Sequence, residues 1–223
     1  MYERLTNMKT TFQRRTIMRG ALATLVFSQL SACFTNLAGV SSAELAQSVR
    51  FDTLRDYSAE PHRVRLVNRD RFGPEFYPTR QPSPFDLPPG TLVVATDKRE
   101  VYLIEADGMS RRYPVAVGDQ GYAWSGEAVV GRKATWPAWY PTPSMRLEVP
   151  NLPRRIAPGE ENPLGARGLY LYKNGVDTLY RIHGTSEPWT IGTEASSGCI
   201  RMFNEDVIDL FDRVRLGARV IVS

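Results

Sequence analysis

The chain has 223 residues, 42% of them hydrophobic and 10% aromatic, enough to bury one good-sized core and leave an extension. Its formal charge of +4 sits in residues 1–32, where Arg4, Lys9, Arg14, Arg15 and Arg19 outnumber the single acid Glu3; the rest of the chain is charge-balanced. That balance argues against a nucleic-acid surface or a polybasic membrane patch on the domain, and two histidines with two cysteines are too few for a zinc site of the usual kind.

Residues 1–33 read as an export signal. A basic stretch ends in Gln13-Arg14-Arg15-Thr16-Ile17-Met18-Arg19, a charge-free run follows from Gly20 to Leu30, and the segment closes on Leu30-Ser31-Ala32-Cys33. The apolar run is too short and too rich in Ser and Gln for a spanning helix, which needs ~20 apolar residues. The paired arginines resemble a twin-arginine signal. Leu-Ser-Ala-Cys resembles a lipobox, in which Cys33 is lipidated and becomes the new N-terminus. The alternatives are an ordinary secretory signal cleaved nearby and an uncleaved anchor. A periplasmic protein is expected, with a lipid anchor to the membrane where Cys33 is modified. Cys199 is then a lone thiol in an oxidising compartment, which favours chemistry over structure.

Residues 34–88 are expected as a tether and proline-rich connector, partly helical around Ala43–Leu54 and extended from Tyr77 to Gly90. The alternating run Pro61–Val67 reads as an edge strand, and His62 within it as a surface residue. From Thr91 the pattern turns β. Thr91–Thr96 and Glu100–Glu105 flank Asp97-Lys98-Arg99 as a hairpin, and Asp107-Gly108 turns into Arg111–Val117. Gly118–Gly131 reads as loop. The aromatic-proline block Trp136–Pro143 reads first as a packed loop over one end of the core, and alternatively as the wall of a groove. Pro150–Gly165 is a further loop.

Asn174-Gly175 then joins Leu169–Tyr172 to Thr178–His183, the strongest hairpin signal in the chain. Alternation puts Leu179, Arg181 and His183 on one face of the second strand and Tyr180 and Ile182 on the other. One clear helix follows. Asn204 is its expected N-cap, Glu205 and Asp206 lie in the first turn, and Val207, Leu210, Phe211 and Val214 form an apolar face, with Gly217 as the stop. Arg219–Val222 is the closing strand. The sum is a β-rich mixed α+β domain over 89–223.

His183 and Cys199 form the one arrangement that suits nucleophilic catalysis, a thiol with a base within reach if the intervening loop folds back. A free thiol is only a few per cent ionised at neutral pH, and the helix begins too far along to supply its dipole. The small turn Ser197-Gly198-Cys199 suits an oxyanion hole, with the amides of Gly198 and Cys199 as donors. Arg201 offers positive charge for a substrate carboxylate, or a structural ion pair. No phosphate-cradling loop or dinucleotide fingerprint occurs, and no cofactor is expected.

Ile182-His183-Gly184-Thr185 and Ser196-Ser197-Gly198-Cys199-Ile200-Arg201-Met202 resemble the signature of the L,D-transpeptidase (YkuD-type) catalytic domain. Asn162-Pro163-Leu164-Gly165-Ala166-Arg167 and Glu187-Pro188-Trp189-Thr190-Ile191-Gly192 add to the resemblance, which covers about Pro89 to Ser223. It implies a β-sandwich with one clear helix after the cysteine, Cys199 as nucleophile and His183 as base. It implies substrate contacts near Arg201, Gly184, Thr185 and Trp189. The implied substrate is a peptidoglycan stem peptide. Cys199 forms a thioester at the L-centre of diaminopimelate, D-alanine leaves, and an amine takes the acyl group, from a second stem or from a lysine of an envelope protein. Hydrolysis of the same acyl-enzyme, as in an L,D-carboxypeptidase or endopeptidase, and a non-catalytic peptidoglycan-binding lipoprotein are the alternatives. One position departs from the family pattern: SSGC stands where SHGC is usual, so Ser197 offers a hydroxyl but carries no proton at neutral pH.

Overall fold

The β-branched runs at Leu92–Ala95 (β3) and Glu100–Ile104 (β4) pair as the antiparallel hairpin their spacing predicts, with Arg99 in the left-handed region at the turn. The structure is a computed structural model that describes residues 49–50, 55–118, 125–149, 151–196 and 198–223, all within the unit Val40–Ser223. Cys33 and Ser197 lie outside the described residues. Two short strands, β1 (Val49–Arg50) and β2 (Thr79–Pro82), precede the hairpin. After it come β5 (Met109–Gly118), β6 (Gly126–Thr135), helix α1 (Pro143–Glu148), β7 (Arg167–Lys173), β8 (Val176–His183), β9 (Glu194–Ser196), β10 (Ile200–Met202), helix α2 (Asn204–Arg213) and β11 (Arg219–Val222).

The strand order is β1-β2-β5-β10-β8-β7-β6-β11-β3-β4, and β4 pairs again with β5. The sheet therefore folds back on itself around a single interior, the strand-rich, sandwich-like architecture expected. Leu92, Val101, Tyr113, Val130, Leu171 and Ile182 converge there from six different strands. Val207, Leu210 and Val214 bring α2 into the same core at the predicted helical spacing, with Phe211 partly buried beside them. Each such side chain contributes about 1.5–3 kcal/mol on burial. Lys133 of β6 places its ammonium on the carbonyls of Phe211 (2.5 Å) and Val214 (2.6 Å), a cation where the helix dipole is negative.

Several expectations change. Gly126–Gly131 is strand, not loop, and β6 runs on to Thr135 between β7 and β11. The misleading residue is Gly131, where the β6–β7 register shifts; a Cβ there would lie 2.5 Å from the Tyr172 ring, so glycine marks a bulge and not a strand end. Helix α1 was missed although Thr142 caps it onto the Met145 amide and Pro143 opens it. On β8 the simple alternation fails, because Leu179 adopts φ 65° and the register against β7 shifts there.

The connector is the largest difference. Pro61–Val67 forms no strand; Val64 packs instead with Trp136, Ala166 and Ile208, and His62 lies edge-on to Trp136. The proline-rich passage contributes β2, whose Pro82 falls at the strand end where a missing N–H is tolerated. Phe85 and Leu87 cover the outer face of β3 and β4. Most of Ala43–Leu54 lies outside the described residues, while Val49 and Arg50 are extended and pair with β2.

The first turn of α2 explains why the segment 55–88 holds. Glu205 and Asp206 are wholly buried rather than facing solvent at the helix end. Asp206 receives both Arg69 guanidinium nitrogens (2.6 and 3.0 Å), and Glu205 accepts the Val67 amide (2.9 Å). Glu60 takes hydrogen bonds from Arg167 and from Trp136 Nε1, fastening the same segment to β7 and the loop before α1.

Candidate active site

β8 and β10 run parallel, with Ile200 opposite Ile182 and Arg201 opposite His183. Cys199 enters β10 one residue earlier, alongside Arg181. Strands ~4.8 Å apart with ~3.3 Å per residue place the Cα atoms of Cys199 and His183 about 8 Å apart, within the combined reach of the two side chains. The intervening loop brings β10 back beside β8, so the two residues sit on adjacent strands. Gly198, at φ 118°, makes the turn into Cys199 in a conformation that a side chain would strain.

Asn204 fixes the far side of this arrangement. It is the first residue of α2, and Phe203 occupies the N-cap position with no side-chain cap bond. The Asn204 side chain instead accepts from the amides of Ala166 (2.9 Å) and Thr185 (3.3 Å) and donates to the Thr185 carbonyl (2.9 Å). Gly165 and Gly184 both press against it: a Cβ on either would lie within about 2.2 Å of Asn204 Oδ1. Asn162, in the same phrase as Gly165, holds its loop through bonds to the carbonyls of Ile156 and Ala157 and from the Leu164 amide. These motif residues pack the chain around the histidine.

His183 is buried, with Nδ1 2.5 Å from the Gly184 carbonyl. A carbonyl only accepts, so Nδ1 carries the proton and Nε2 keeps its lone pair. Burial lowers the imidazole pKa to about 4 against the upward pull of the Gly184 hydrogen bond, with Arg201 and Arg181 adding to the depression. Burial raises the Cys199 thiol, against a backbone hydrogen bond from Arg181 and the charges of Arg181 and Arg201. At neutral pH the site therefore holds a neutral base and a protonated thiol. Sγ also lies 3.9 Å from the Leu179 carbonyl.

Cys199 and Gly198 open onto a cavity of about 830 Å³, large enough for a peptide. Trp139, Tyr140, Leu164, Arg132, Tyr170 and Leu179 are among its lining residues. The aromatic-proline block thus does both things the sequence offered: Trp136 is buried in the core, and its neighbours line the groove. His183 is not among the lining residues.

The remaining predicted residues are arranged differently. Arg201 pairs with Glu187 at 3.0 Å. Gly184 and Thr185 are interior, and Thr185 Oγ1 accepts the Glu187 amide. Trp189 is exposed on a short 3-10 turn, Pro188–Thr190, away from the cavity lining. Sequence reasoning missed Arg132 and Tyr170. Arg132 follows directly on the stretch Gly118–Gly131 that reads as loop, so its place opposite Tyr170 emerges only from the register of β6 against β7.

The family described as L,D-transpeptidase catalytic domain (YkuD) matches residues 89–222. Among curated proteins, the probable L,D-transpeptidase ErfK/SrfK of Escherichia coli strain K12 is 34% identical over 137 residues, covering 59% of this chain and 43% of that protein. The putative L,D-transpeptidase in ATP synthase subunits region ORF 5 of Fuscovulum blasticum is 35% identical over 133 residues, 59% of this chain and 68% of that protein. A crystal structure of a probable carnitine operon oxidoreductase caia from Brucella melitensis is 44% identical, with a TM-score of 0.48, over 70% of this chain and 99% of that one. The match spans less than half the length of the E. coli relative.

Proposed function

The chain belongs to the L,D-transpeptidase (YkuD-type) catalytic-domain family, and on that premise we propose that it is a cysteine acyl-transferase of the cell wall. The observation that carries this reading is the neutral, oriented imidazole of His183 set two residues along the neighbouring strand from a thiol that opens onto a peptide-sized cavity.

His183 Nε2 takes the Cys199 proton as Sγ attacks the carbonyl at the L-centre of diaminopimelate in a tetrapeptide stem. The C–N bond to D-alanine breaks, the leaving amine takes the proton back from His183, and a thioester remains on Cys199. An amine then attacks the thioester and passes its proton through His183 to the departing sulfur. With the side-chain amine of a second diaminopimelate the product is a 3→3 cross-link; with a lysine it is an anchored envelope protein. Amides of Gly198 and Cys199 would face the developing oxyanion. The setting is the periplasm, with lipidation of Cys33 tethering the domain to a membrane. The Ser197 position bears on thiol activation or acceptor handling and leaves His183 as the base.

The test is incubation with tetrapeptide muropeptides and mass analysis of the products. Released D-alanine with a cross-linked dimer supports the transferase, and released D-alanine with free tripeptide makes water the acceptor. Unchanged tetrapeptide, or turnover that persists in Cys199→Ala, overturns the proposal.

A further inference from the structure

Across β6, β7 and β8 the register sets Arg132 opposite Tyr170 and Tyr170 opposite Arg181, and Cys199 continues the row beyond Arg181. The guanidinium groups of Arg132 and Arg181 each lie 4.3 Å from the centre of the Tyr170 ring. Their circumstances differ. Arg181 is committed, to Asp177 through two hydrogen bonds (2.7 and 2.9 Å) and to the Tyr180 carbonyl (3.0 Å). Arg132 makes no ion pair among the described residues, is exposed, and lines the cavity. The described lining of that cavity carries two arginines and no acid. A cation resting over an aromatic ring, with no ion pair among the described residues, is prepared to receive an anion.

From this row we infer that Arg132 binds a carboxylate on the donor substrate, and that this is the D-centre carboxylate of diaminopimelate. The inference rests on the reaction proposed above. Tyr170 stands two strand spacings from the Cys199 strand, so the Arg132 guanidinium is about 10 Å from the reacting sulfur along the sheet. In diaminopimelate six single bonds separate the reacting carbonyl carbon from the D-centre carboxyl carbon, about 7–8 Å when extended. Adding one hydrogen bond of ~2.9 Å closes the distance. The C-terminal carboxylate of the leaving D-alanine is only ~4 Å from the scissile carbon, too close to the sulfur to meet Arg132. Arg132 is thus a specificity residue, selecting stems whose diaminopimelate is free over stems in which that carboxyl is amidated.

The test uses the full chain with Cys199→Ala, which separates binding from turnover. Two synthetic tetrapeptides, one with a free and one with an amidated D-centre carboxyl, are titrated by calorimetry into Cys199→Ala and into Cys199→Ala/Arg132→Gln. The free form should bind about tenfold more tightly to the first protein, as expected for a charge-assisted but solvent-exposed contact. Arg132→Gln should collapse that ratio to near one, and Arg132→Lys should keep part of it. Equal binding of both peptides by Cys199→Ala, or an unchanged ratio after Arg132→Gln, overturns the inference. Thermal unfolding of each variant distinguishes a lost contact from a lost fold. Turnover of both peptides by the wild-type chain, measured alongside, decides the acyl-transferase reading separately.

Discussion

With Nδ1 tied to the Gly184 carbonyl and the ring buried, His183 stays neutral far below the pH at which a free histidine protonates. The acid limb of the acylation rate should therefore fall near pH 4 and not near 6.5, and a pH–rate profile for thioester formation reads it directly. The same shift has a stability consequence. Above pH 6.5 the histidine is neutral in both the folded and unfolded chain, and nothing is lost. Between 6.5 and about 4 the unfolded chain takes up a proton that the folded chain refuses, so stability falls as pH falls. The full loss is about 3 kcal/mol. Urea unfolding at pH 7 and pH 4.5 should show most of this drop, and His183→Gln should flatten it. His183 and Cys199 were legible as residue types because so few others could serve. Asn204 was misplaced, since Asn before an apolar helical run reads as a cap, and only the folded chain shows its amide turned to the Ala166 and Thr185 backbone. Asn204→Ala should cost about 3 kcal/mol by stranding those buried groups, measurable by denaturant titration.

At the scale of elements, sequence pattern served best where a strand obeys one rule and worst where two rules compete. The Asn174-Gly175 hairpin and the apolar face of α2 were each stated by local residues and form as stated. β6 was hidden because Gly131 satisfies a bulge that presses on Tyr172, and a glycine in a strand reads as its end. The acidic first turn of α2 misled in another way. Glu205 and Asp206 look like dipole partners at a helix start, and dipole placement does not reveal that Arg69, far away in sequence, buries one of them. Removing one member of a buried pair leaves a bare charge, so Arg69→Ala should destabilise by about 3–5 kcal/mol. A paired replacement, Arg69→Met with Asp206→Leu, should recover most of that loss. A change in unfolding free energy below ~1 kcal/mol for Arg69→Ala, the size of a surface pair, would show that the ion pair is not structural.

At the scale of the whole molecule, the family match begins at residue 89, yet the fold does not. The segment from Arg55 to Pro88 supplies Val64, Val67 and Phe72 to satellite cores, Arg69 to Asp206 and Glu60 to Arg167. Proline-rich composition made it look like a connector, because the contacts that fasten it to the domain, Arg69 to Asp206, Val67 to Glu205 and Glu60 to Arg167, are long-range and leave no periodic trace. A chain beginning at residue 89 should therefore fail to fold cooperatively, while one beginning at residue 40 should give a single sharp thermal transition; equal melting temperatures would contradict this. The strand-rich architecture was legible from Thr91 onward, but the cavity was not, since it depends on β6, α1 and the Trp136–Pro143 block meeting across the sheet.

The proposed reaction passes through a covalent bond to one sulfur. Intact-mass analysis of the protein, quenched in acid shortly after mixing with a tetrapeptide stem, should show an adduct equal to the peptide acyl group without D-alanine. It should map to Cys199, vanish in Cys199→Ala and form orders of magnitude more slowly in His183→Ala. No adduct on the wild-type chain, or one that survives in Cys199→Ala, would contradict it.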